Sequence, residues 1–320
     1  MKVGILGLGT VGGGVVNVLQ KNSKSIKRRT GVEIELVIAG VRDISKKRIC
    51  DTKKIQLTED PFEVVNHPDI DVVLELIGGF GLAKELVEQA INNGKHIITA
   101  NKALIGNHGN ELIKLANKKK VRFLFEASVA GGIPIIKALE QGLSANNIES
   151  VAGIINGTGN FILTDMKEKG RDFNDVLKEA QALGYAEEDP TFDIEGIDAA
   201  HKLSILAAIA FGTEIQFDKI FTEGISNIST EDILHATELG YTIKHLGIAK
   251  RAENGIELRV HPTLVPNNKL IAQVDGVMNA VMVKSDALGT SLYYGPGAGD
   301  EATASAVIAD LNDIINNQTS

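Results

Sequence analysis

Apolar residues in the first 130 positions follow two patterns, short apolar runs and longer runs with the spacing of an amphipathic helix. The short runs predict strands over residues 2–6, 32–39, 71–76, 96–99 and 122–126. Helical spacing predicts α-helices between them, over residues 11–20 and in the segments LAKELVEQAINNG and GNELIKLANKKK. Strands that alternate with helices in this way are typical of an α/β fold built on a doubly wound parallel sheet.

The pattern changes after Gly131. A helix is predicted over 133–143, a strand over 150–156, and a helix-rich region from 160 to about 250. Three β-rich runs follow at 256–265, 279–286 and 291–295, and residues 285–289 favour a hairpin turn. We therefore predict an α/β domain over residues 1–130 and an α+β domain with an antiparallel sheet over residues 131–300. A last helix, over 301–315, is expected to pack back on the first domain.

Composition restricts the classes of partner. The chain has 320 residues, 43% of them hydrophobic, and a net charge of −8, which argues against nucleic acid or an anionic membrane as a partner. The single cysteine, Cys50, excludes an internal disulfide and suits a reducing compartment. The later apolar stretch 203–212 is too short to span a bilayer, and the apolar N-terminus is explained better by its glycines than by a signal peptide. We expect a cytoplasmic protein.

The first predicted strand ends in a glycine motif, Gly7-Leu8-Gly9-Thr10-Val11-Gly12, which matches G-x-G-x-x-G. In this motif the glycines permit a tight turn, close approach of the backbone to a pyrophosphate, and close packing of the helix on the strand. The free N–H groups of the following helix then bind the phosphates. The sequence therefore predicts a Rossmann-type dinucleotide-binding domain, and a glycine turn without a ligand is the alternative.

The end of the second predicted strand bears on the cofactor. Arg42 there can face a 2′-phosphate, which favours NADP, whereas Asp43 can bind the ribose of NAD. NADP is the expected cofactor and NAD is possible.

Carboxylates crowd a segment of the second domain, at Glu187, Glu188, Asp189, Asp193, Glu195 and Asp198. Asp198 and Lys202 are four residues apart and share one face of an apolar helix. Such a cluster can hold a zwitterionic amino acid, with carboxylates on its ammonium group and the lysine on an oxygen. The alternative is a solvated acidic loop followed by an ordinary helix ion pair.

Taken together, the motifs resemble those of the homoserine dehydrogenase family. The matching segments run in order along almost the whole chain: GLGTVGGG, ELIGG, TANKAL, EASVAGGIPII, NGTGNFIL, GYAEEDP, GIDAAHKL, GYTIKHLGIAK and YGPGAGDEATASAV. The resemblance implies a nicotinamide-dependent oxidoreductase that interconverts L-homoserine and L-aspartate 4-semialdehyde in threonine and methionine biosynthesis.

The resemblance also implies roles for individual residues. Lys202 would be catalytic, and Lys102 would lie in the cleft between cofactor and substrate. Substrate binding would fall to Glu187, Asp198, Asp193, Asn156 and Thr158. Besides the glycine motif and Arg42, the cofactor would contact Gly78, Lys102, Gly184 and Gly299. A monovalent cation such as sodium would bind the loop of Glu126, Val129, Gly131 and Ile133, mainly through backbone oxygens; a glycine-rich hinge is the other interpretation of that loop.

Two departures from the family pattern stand out. Gly159 occupies a position where the family usually has threonine, so we expect altered affinity more than lost activity. Long bacterial members carry a C-terminal regulatory domain of the ACT type. This chain stops after its last predicted helix, so we expect a short form or a shortened chain that threonine does not inhibit allosterically.

Two other functions compete with this interpretation. Aspartate-semialdehyde dehydrogenase needs a cysteine nucleophile, and Cys50 lies in the wrong domain for it. A catalytically silent dinucleotide sensor would keep the glycine motif but has no need of Lys102, Glu187, Asp198 and Lys202 together. The β-rich runs of the second domain can pair across a two-fold axis, so we expect a homodimer.

Overall fold

The structure, a computed structural model, describes residues 1–318. Its contacts divide the chain into two compact units. The first unit comprises Met1–Gly132 together with the C-terminal segment that starts at Ala298, and the second unit comprises Ile133–Gly297. No helix among residues 1–318 is long and apolar enough to cross a membrane.

The first unit contains a six-stranded parallel sheet with helices between its strands. The strands are β1 (Lys2–Leu6), β2 (Glu35–Gly40), β3 (Gln56–Thr58), β4 (Val72–Glu75), β5 (His96–Thr99) and β6 (Phe123–Leu124). The helices between them are α1 (Thr10–Thr30), α2 (Pro61–Asn66), α3 (Gly81–Asn92) and α4 (Lys102–Lys119). The strand order is β3-β2-β1-β4-β5-β6, so the order reverses between β1 and β4. In this Rossmann-like fold that reversal marks the point where nucleotides bind.

The C-terminal helix (Asp300–Gln318) packs against α1 in the first unit. Ala304, Val307 and Leu311 of this helix lie in the same apolar core as residues of β1 and α1. Gly14 permits the close approach, because a Cβ atom at this position would lie 2.5 Å from the carbonyl oxygen of Asp300. The run of glycines at the start of α1 therefore serves helix packing as well as the glycine motif.

The second unit contains a six-stranded mixed sheet and six helices. Its strands are β7 (Ile148–Ile154), β8 (Phe221–Thr222), β9 (Tyr241–Ala252), β10 (Gly255–Pro266), β11 (Met278–Ser285) and β12 (Gly289–Pro296), in the order β12-β11-β7-β9-β10-β8. Its helices are α5 (Ile135–Lys137), which a π-helical turn extends, α6 (Gly157–Lys169), α7 (Phe173–Ala182), α8 (Thr191–Ile194), α9 (Ile197–Phe211) and α10 (Thr230–Glu238). Two helices of this unit, α6 and α9, carry most of the predicted substrate residues.

The structure confirms the predicted α/β class and corrects several elements. The strand β3 and the helix α2 were not predicted, and α1 continues to Thr30 because its polar second half is still helical up to the left-handed Gly31. The helix-rich region predicted to extend to about residue 250 is wrong at its end. There, the left-handed Gly240 (φ 81°) follows the end of α10, and β9 begins at Tyr241.

The predicted antiparallel character of the second sheet holds for four of its five strand pairs. The exception is β8, which pairs with β10 in parallel. The hairpin turn predicted at residues 285–289 is confirmed, because Ser285 pairs with Gly289 at the closed end of the β11–β12 pair.

Candidate functional site

The glycine motif lines a cavity in the first unit. This cavity has a volume of about 710 Å³ and is bordered by Gly7, Leu8, Gly9, Thr10, Arg42, Ile77 and Gly78, among others. Gly7 has a φ of 95°, and a Cβ atom on Gly9 would point into open space. A Cβ atom on Gly12 would collide with the Gly7 carbonyl oxygen. These are the three requirements that a dinucleotide imposes on the motif, so the cavity fits a nicotinamide cofactor.

Basic residues follow β2 along one side of this cavity. Arg42 is exposed at the cavity wall, and within residues 1–318 its guanidinium makes no hydrogen bond or ion pair. The Asp43 carboxylate accepts hydrogen bonds from Ser45 instead, from the backbone N–H at 2.8 Å and from Oγ at 2.6 Å. These bonds lower the pKa of Asp43. The Arg48 guanidinium donates to three carbonyl groups of the same loop and fixes its shape.

A buried carboxylate lies at the end of β4. Glu75 accepts hydrogen bonds from Thr99 Oγ1 at 2.6 Å, from the backbone N–H of Ile77 at 3.1 Å, and from Asn101 Nδ2 at 3.4 Å. Burial raises the pKa of Glu75. The hydrogen bonds that Glu75 accepts, chiefly the one from Thr99, oppose this rise. This network connects the carboxyl ends of β4 and β5 to the ELIGG loop.

The same network positions Lys102. Asn101 caps α4, because its Oδ1 accepts a hydrogen bond from the backbone N–H of Leu104 at 3.0 Å. Its Nδ2 also donates to the carbonyl oxygen of Gly79. Lys102 is the first residue of α4 and is partly exposed. The structure thus places Lys102 at the carboxyl edge of the parallel sheet, where ligands of such sheets bind.

In the second unit, two carboxylates and a lysine gather around one amide. Asn156 Nδ2 donates to Asp193 Oδ1 at 2.7 Å and to Asp198 Oδ2 at 2.8 Å. Lys202 Nζ lies 2.6 Å from Asp198 Oδ2 and 2.7 Å from the carbonyl oxygen of Ile155. The contact between Asp198 and Lys202 is the one that their spacing on α9 predicts. We call Asn156, Asp193, Asp198 and Lys202 the lysine–carboxylate cluster.

The two carboxylates of this cluster differ in their partners. Asp198 is 3% exposed and pairs with Lys202, so its charge is compensated. Asp193 is half-buried, and its carboxylate accepts a hydrogen bond from the neutral Asn156. Burial raises the pKa of Asp193, the hydrogen bond from Asn156 lowers it, and the nearby charge of Asp198 raises it. The charge of Lys202 also lowers the pKa of Asp193, but Lys202 pairs directly with Asp198, so within residues 1–318 Asp193 is the carboxylate of the cluster without a direct ion pair.

The other predicted residues of the second unit lie in different surroundings. Thr158 is buried near the start of α6 and donates to the carbonyl oxygen of Tyr185 at 2.6 Å. Glu187 is exposed, and within residues 1–318 its carboxylate makes no hydrogen bond or ion pair. Gly184 is exposed with a φ of 76°. A Cβ atom on Gly159 would meet Asn156 Oδ1 at 3.4 Å, an ordinary contact, so the backbone does not demand glycine there.

The candidate cation loop is curled by two successive residues in the left-handed region, Ala130 (φ 53°) and Gly131 (φ 55°). Glu126 is buried, and its backbone N–H donates to the Asp310 carboxylate at 2.9 Å. Val129 belongs to the first unit and Ile133 starts the second. Among residues 1–318, no group of three or more His, Cys, Asp or Glu side chains is arranged to hold a metal ion. A cation here would depend on backbone oxygens.

Sequence reasoning missed the roles of Glu75 and Asn101. The signal was present in ELIGG and TANK, where a carboxylate ends β4 and an amide follows β5 by two residues. The hydrogen bond between them is visible only when the two strands are paired. Cys50 does not have the surroundings of a catalytic nucleophile. Burial raises the pKa of its thiol, which disfavours the thiolate that a nucleophile requires. Gly299, the remaining candidate, lies in the first unit with a φ of 118°.

Comparison with known proteins identifies the family. Residues 134–312 match the family model "Homoserine dehydrogenase", and residues 7–126 match "Homoserine dehydrogenase, NAD binding domain". A homoserine dehydrogenase of Pseudomonas aeruginosa is 62% identical over 320 residues, which covers 100% of this chain and 73% of that protein.

Solved structures agree. The crystal structure of a homoserine dehydrogenase from Thiobacillus denitrificans matches with a TM-score of 0.97 at 62% identity, covering 100% of this chain and 74% of that one. A hyperthermophilic archaeal homoserine dehydrogenase in complex with NADPH matches with a TM-score of 0.81 at 25% identity, covering 100% and 98%. The parallel sheet with its glycine motif, the family models and these relatives lead to one conclusion: the chain belongs to the homoserine dehydrogenase family, oxidoreductases that act on a CH–OH group and carry a NAD-binding domain.

Proposed function

We propose that Lys202 is the catalytic residue that exchanges a proton with the substrate oxygen in the interconversion of L-homoserine and L-aspartate 4-semialdehyde. The observation that carries this proposal is the lysine–carboxylate cluster. Two hydrogen bonds, to Asp198 and to the Ile155 carbonyl, fix the Lys202 ammonium and leave one of its three protons for a ligand. A fixed donor of this kind can stabilise the developing alkoxide and protonate it when the aldehyde is reduced.

The rest of the cluster suits the amino-acid part of the substrate. Asp193 binds the α-ammonium group in this proposal, because within residues 1–318 it is the carboxylate of the cluster that makes no direct ion pair. Asp198 acts mainly by orienting Lys202, to which it is paired. Asn156 holds both carboxylates, and Thr158 supports the loop that follows α7. Glu187 keeps its candidate role as a substrate ligand from its exposed position.

The cofactor of the proposed reaction is NADP(H), held in the cavity of the first unit. The glycine motif would bind the pyrophosphate, and Arg42 would bind the 2′-phosphate as an unpaired guanidinium at the cavity wall. Asp43 is engaged by Ser45, so it is a poor partner for the ribose hydroxyl of NAD. The archaeal relative solved with NADPH supports this preference. When bound, the nicotinamide supplies or accepts the hydride.

Further contacts to the cofactor are proposed for Gly78, Lys102, Gly184 and Gly299, of which Gly78 lines the cavity. Lys102 is the rival of Lys202 as proton donor, because α4 begins at the carboxyl edge of the parallel sheet. A monovalent cation such as sodium is proposed for the loop of Glu126, Val129, Gly131 and Ile133. A homodimer and a cytoplasmic location complete the proposal. The long antiparallel strands β9 and β10 of the second unit support the homodimer. The single cysteine suits a reducing compartment and supports the cytoplasmic location.

The test of the substrate assignment compares two carboxylates. Asp193→Asn removes the proposed ammonium partner and keeps the side-chain volume, so KM for homoserine should rise by about 10-fold or more while NADPH affinity stays unchanged. Glu187→Gln makes the same chemical change at an exposed residue and serves as the comparison. Steady-state assays of NADP reduction with homoserine give both values. A larger effect at Glu187 than at Asp193 would transfer the ammonium site to the loop after α7.

A further inference from the structure

A buried carboxyl group directly precedes the loop that lines the cavity of the first unit, and the reaction described above does not use it. Glu75 is the last residue of β4 and is 0% exposed. It pairs with Leu6 on β1 and with Thr99 on β5. Glu75 therefore stands at the reversal of strand order, on the strand that begins the second half of the sheet.

Burial opposes ionisation of Glu75 by raising its pKa, but every hydrogen bond that Glu75 makes favours the ionised carboxylate. Its partners, which include the Thr99 hydroxyl, the Asn101 amide and the backbone N–H groups of Ile77 and Gly78, are neutral donors. The Thr99 hydroxyl itself accepts the backbone N–H of Asn101 at 2.9 Å, which leaves its proton for Glu75. A carboxylate held by neutral donors keeps its full negative charge, because hydrogen-bond dipoles stabilise the charge without cancelling it.

The backbone that follows Glu75 along the chain lines the cavity. Ile77 donates its N–H to Glu75, and Leu76, Ile77 and Gly78 line the cavity. Dinucleotides lie across the strand-order reversal of such sheets, with one mononucleotide on each half. Arg42 follows β2, so its proposed contact with the 2′-phosphate would put the phosphorylated ribose on the half formed by β1–β3. The nicotinamide is then expected on the half that begins at β4, the strand that ends in Glu75.

We propose that the buried carboxylate of Glu75 makes this protein favour the oxidised nicotinamide cofactor over the reduced one. The oxidised nicotinamide ring carries a positive charge and the reduced ring is neutral. A fixed negative charge beneath the ring attracts the first and has little effect on the second. Low polarity around the buried group strengthens the attraction. The inference rests on the proposed NADP(H) site and assigns Glu75 a role in tuning the redox equilibrium of the bound cofactor.

The test measures the affinity for each cofactor form separately in Glu75→Gln. NADPH binding is followed by its fluorescence, and NADP⁺ binding by displacement of NADPH. The ratio Kd(NADP⁺)/Kd(NADPH) should rise by about 3- to 30-fold, the range that a single, partly screened charge produces. The rise should come from weaker NADP⁺ binding. Glutamine keeps the size of the side chain and can still accept the Ile77 N–H.

Three comparison variants separate charge from shape. Glu75→Asp keeps the charge but shortens the side chain, so its ratio should stay near that of the unmodified protein. Glu75→Ala removes the charge with a different change of shape, and it should shift the ratio in the same direction as Glu75→Gln. It also replaces Glu75→Gln if that variant fails to fold. Glu85→Gln makes the same substitution at an exposed position of α3 and should leave the ratio unchanged.

Each outcome decides one question. Parallel weakening of NADP⁺ and NADPH in both neutral variants, with an unchanged ratio, would show that Glu75 is only structural and would overturn the inference. A changed ratio in Glu75→Asp as large as in Glu75→Gln would overturn it as well. If the unmodified protein bound neither form of the cofactor, the proposed NADP(H) site would fail first, which is a distinguishable result.

Discussion

The two units each bury a carboxylate, but they surround it in opposite ways. Glu75 in the first unit is held by neutral donors, whereas Asp198 in the second unit lies 2.6 Å from the ammonium of Lys202. A carboxylate held by neutral donors retains a field that reaches its surroundings. A carboxylate paired with a cation loses most of that field and acts mainly by fixing where the cation lies. In the first unit the carboxylate would therefore act at a distance through its electric field. In the second unit the carboxylate would act by positioning a proton donor, Lys202.

Removal of the positioned lysine is the most severe test of this contrast. Lys202→Ala should lower kcat for aldehyde reduction by about 10²–10⁴-fold, because the group that protonates the alkoxide is lost. NADPH affinity should survive, since the proposed cofactor site lies in the other unit. Single-turnover kinetics with a separate measurement of cofactor affinity gives both quantities. Lys102→Ala is the matched variant in the first unit. If Lys102→Ala abolishes the chemistry and Lys202→Ala retains it, the two lysines must exchange roles.

Arg42 tests whether a charged side chain of the first unit acts directly on the cofactor. A guanidinium–phosphate contact contributes about 1.5–3 kcal/mol, so Arg42→Ala should reduce the preference for NADPH over NADH by about 10- to 100-fold. The affinity for NADH itself should change little, because NADH lacks the 2′-phosphate. Arg28→Ala, at an exposed position of α1, controls for the loss of a positive charge. An unchanged NADPH/NADH ratio in Arg42→Ala would show that another group recognises the phosphate.

The smallest of these effects sharpens the description of the second unit. Asn156→Ser should keep a cap for α6, since a serine hydroxyl can also accept the Gly159 N–H, but it removes the amide that bridges Asp193 and Asp198. The hydrogen bond from Asn156 lowers the pKa of Asp193, so its loss raises that pKa. Protonated Asp193 cannot bind an ammonium group. The acid limb of kcat/KM for homoserine should therefore move to higher pH, with a loss of about 10-fold near that limb.

Thermal unfolding of Asn156→Ser shows whether the cap is preserved. An acid limb that stays in place while unfolding is unaffected would mean that Asp193 does not control homoserine binding.

Sequence patterns predicted those features that depend on local spacing. The turn and helix packing required by Gly7, Gly9 and Gly12 follow from the strand-to-helix context of the motif. The contact between Asp198 and Lys202 follows from helical periodicity. In both cases the interacting groups are a few residues apart, so the local backbone conformation determines their geometry.

Features that depend on long-range pairing were not predictable in this way. Asn156 reaches Asp193 and Asp198 across 37 and 42 residues, and Glu75 reaches Thr99 across 24 residues. No hydrophobic period encodes these contacts, because they arise when separate strands and helices come together. The end of the helix-rich region was also misjudged, since the apolar residues of TIKHLGIAK fit either period until a partner strand is known. The role of Glu187 stays a prediction that the substrate assay described above tests.

The packing of the C-terminal helix has a consequence for folding during synthesis on the ribosome. Ala304, Val307, Leu311 and Ile314 belong to the same apolar core as β1, which is the first strand to be synthesised. All residues of the second unit emerge between them. During synthesis the second unit can therefore gather its complete core before the first unit does. The core of the first unit stays incomplete, with one side of α1 uncovered, until the C-terminal helix has been synthesised.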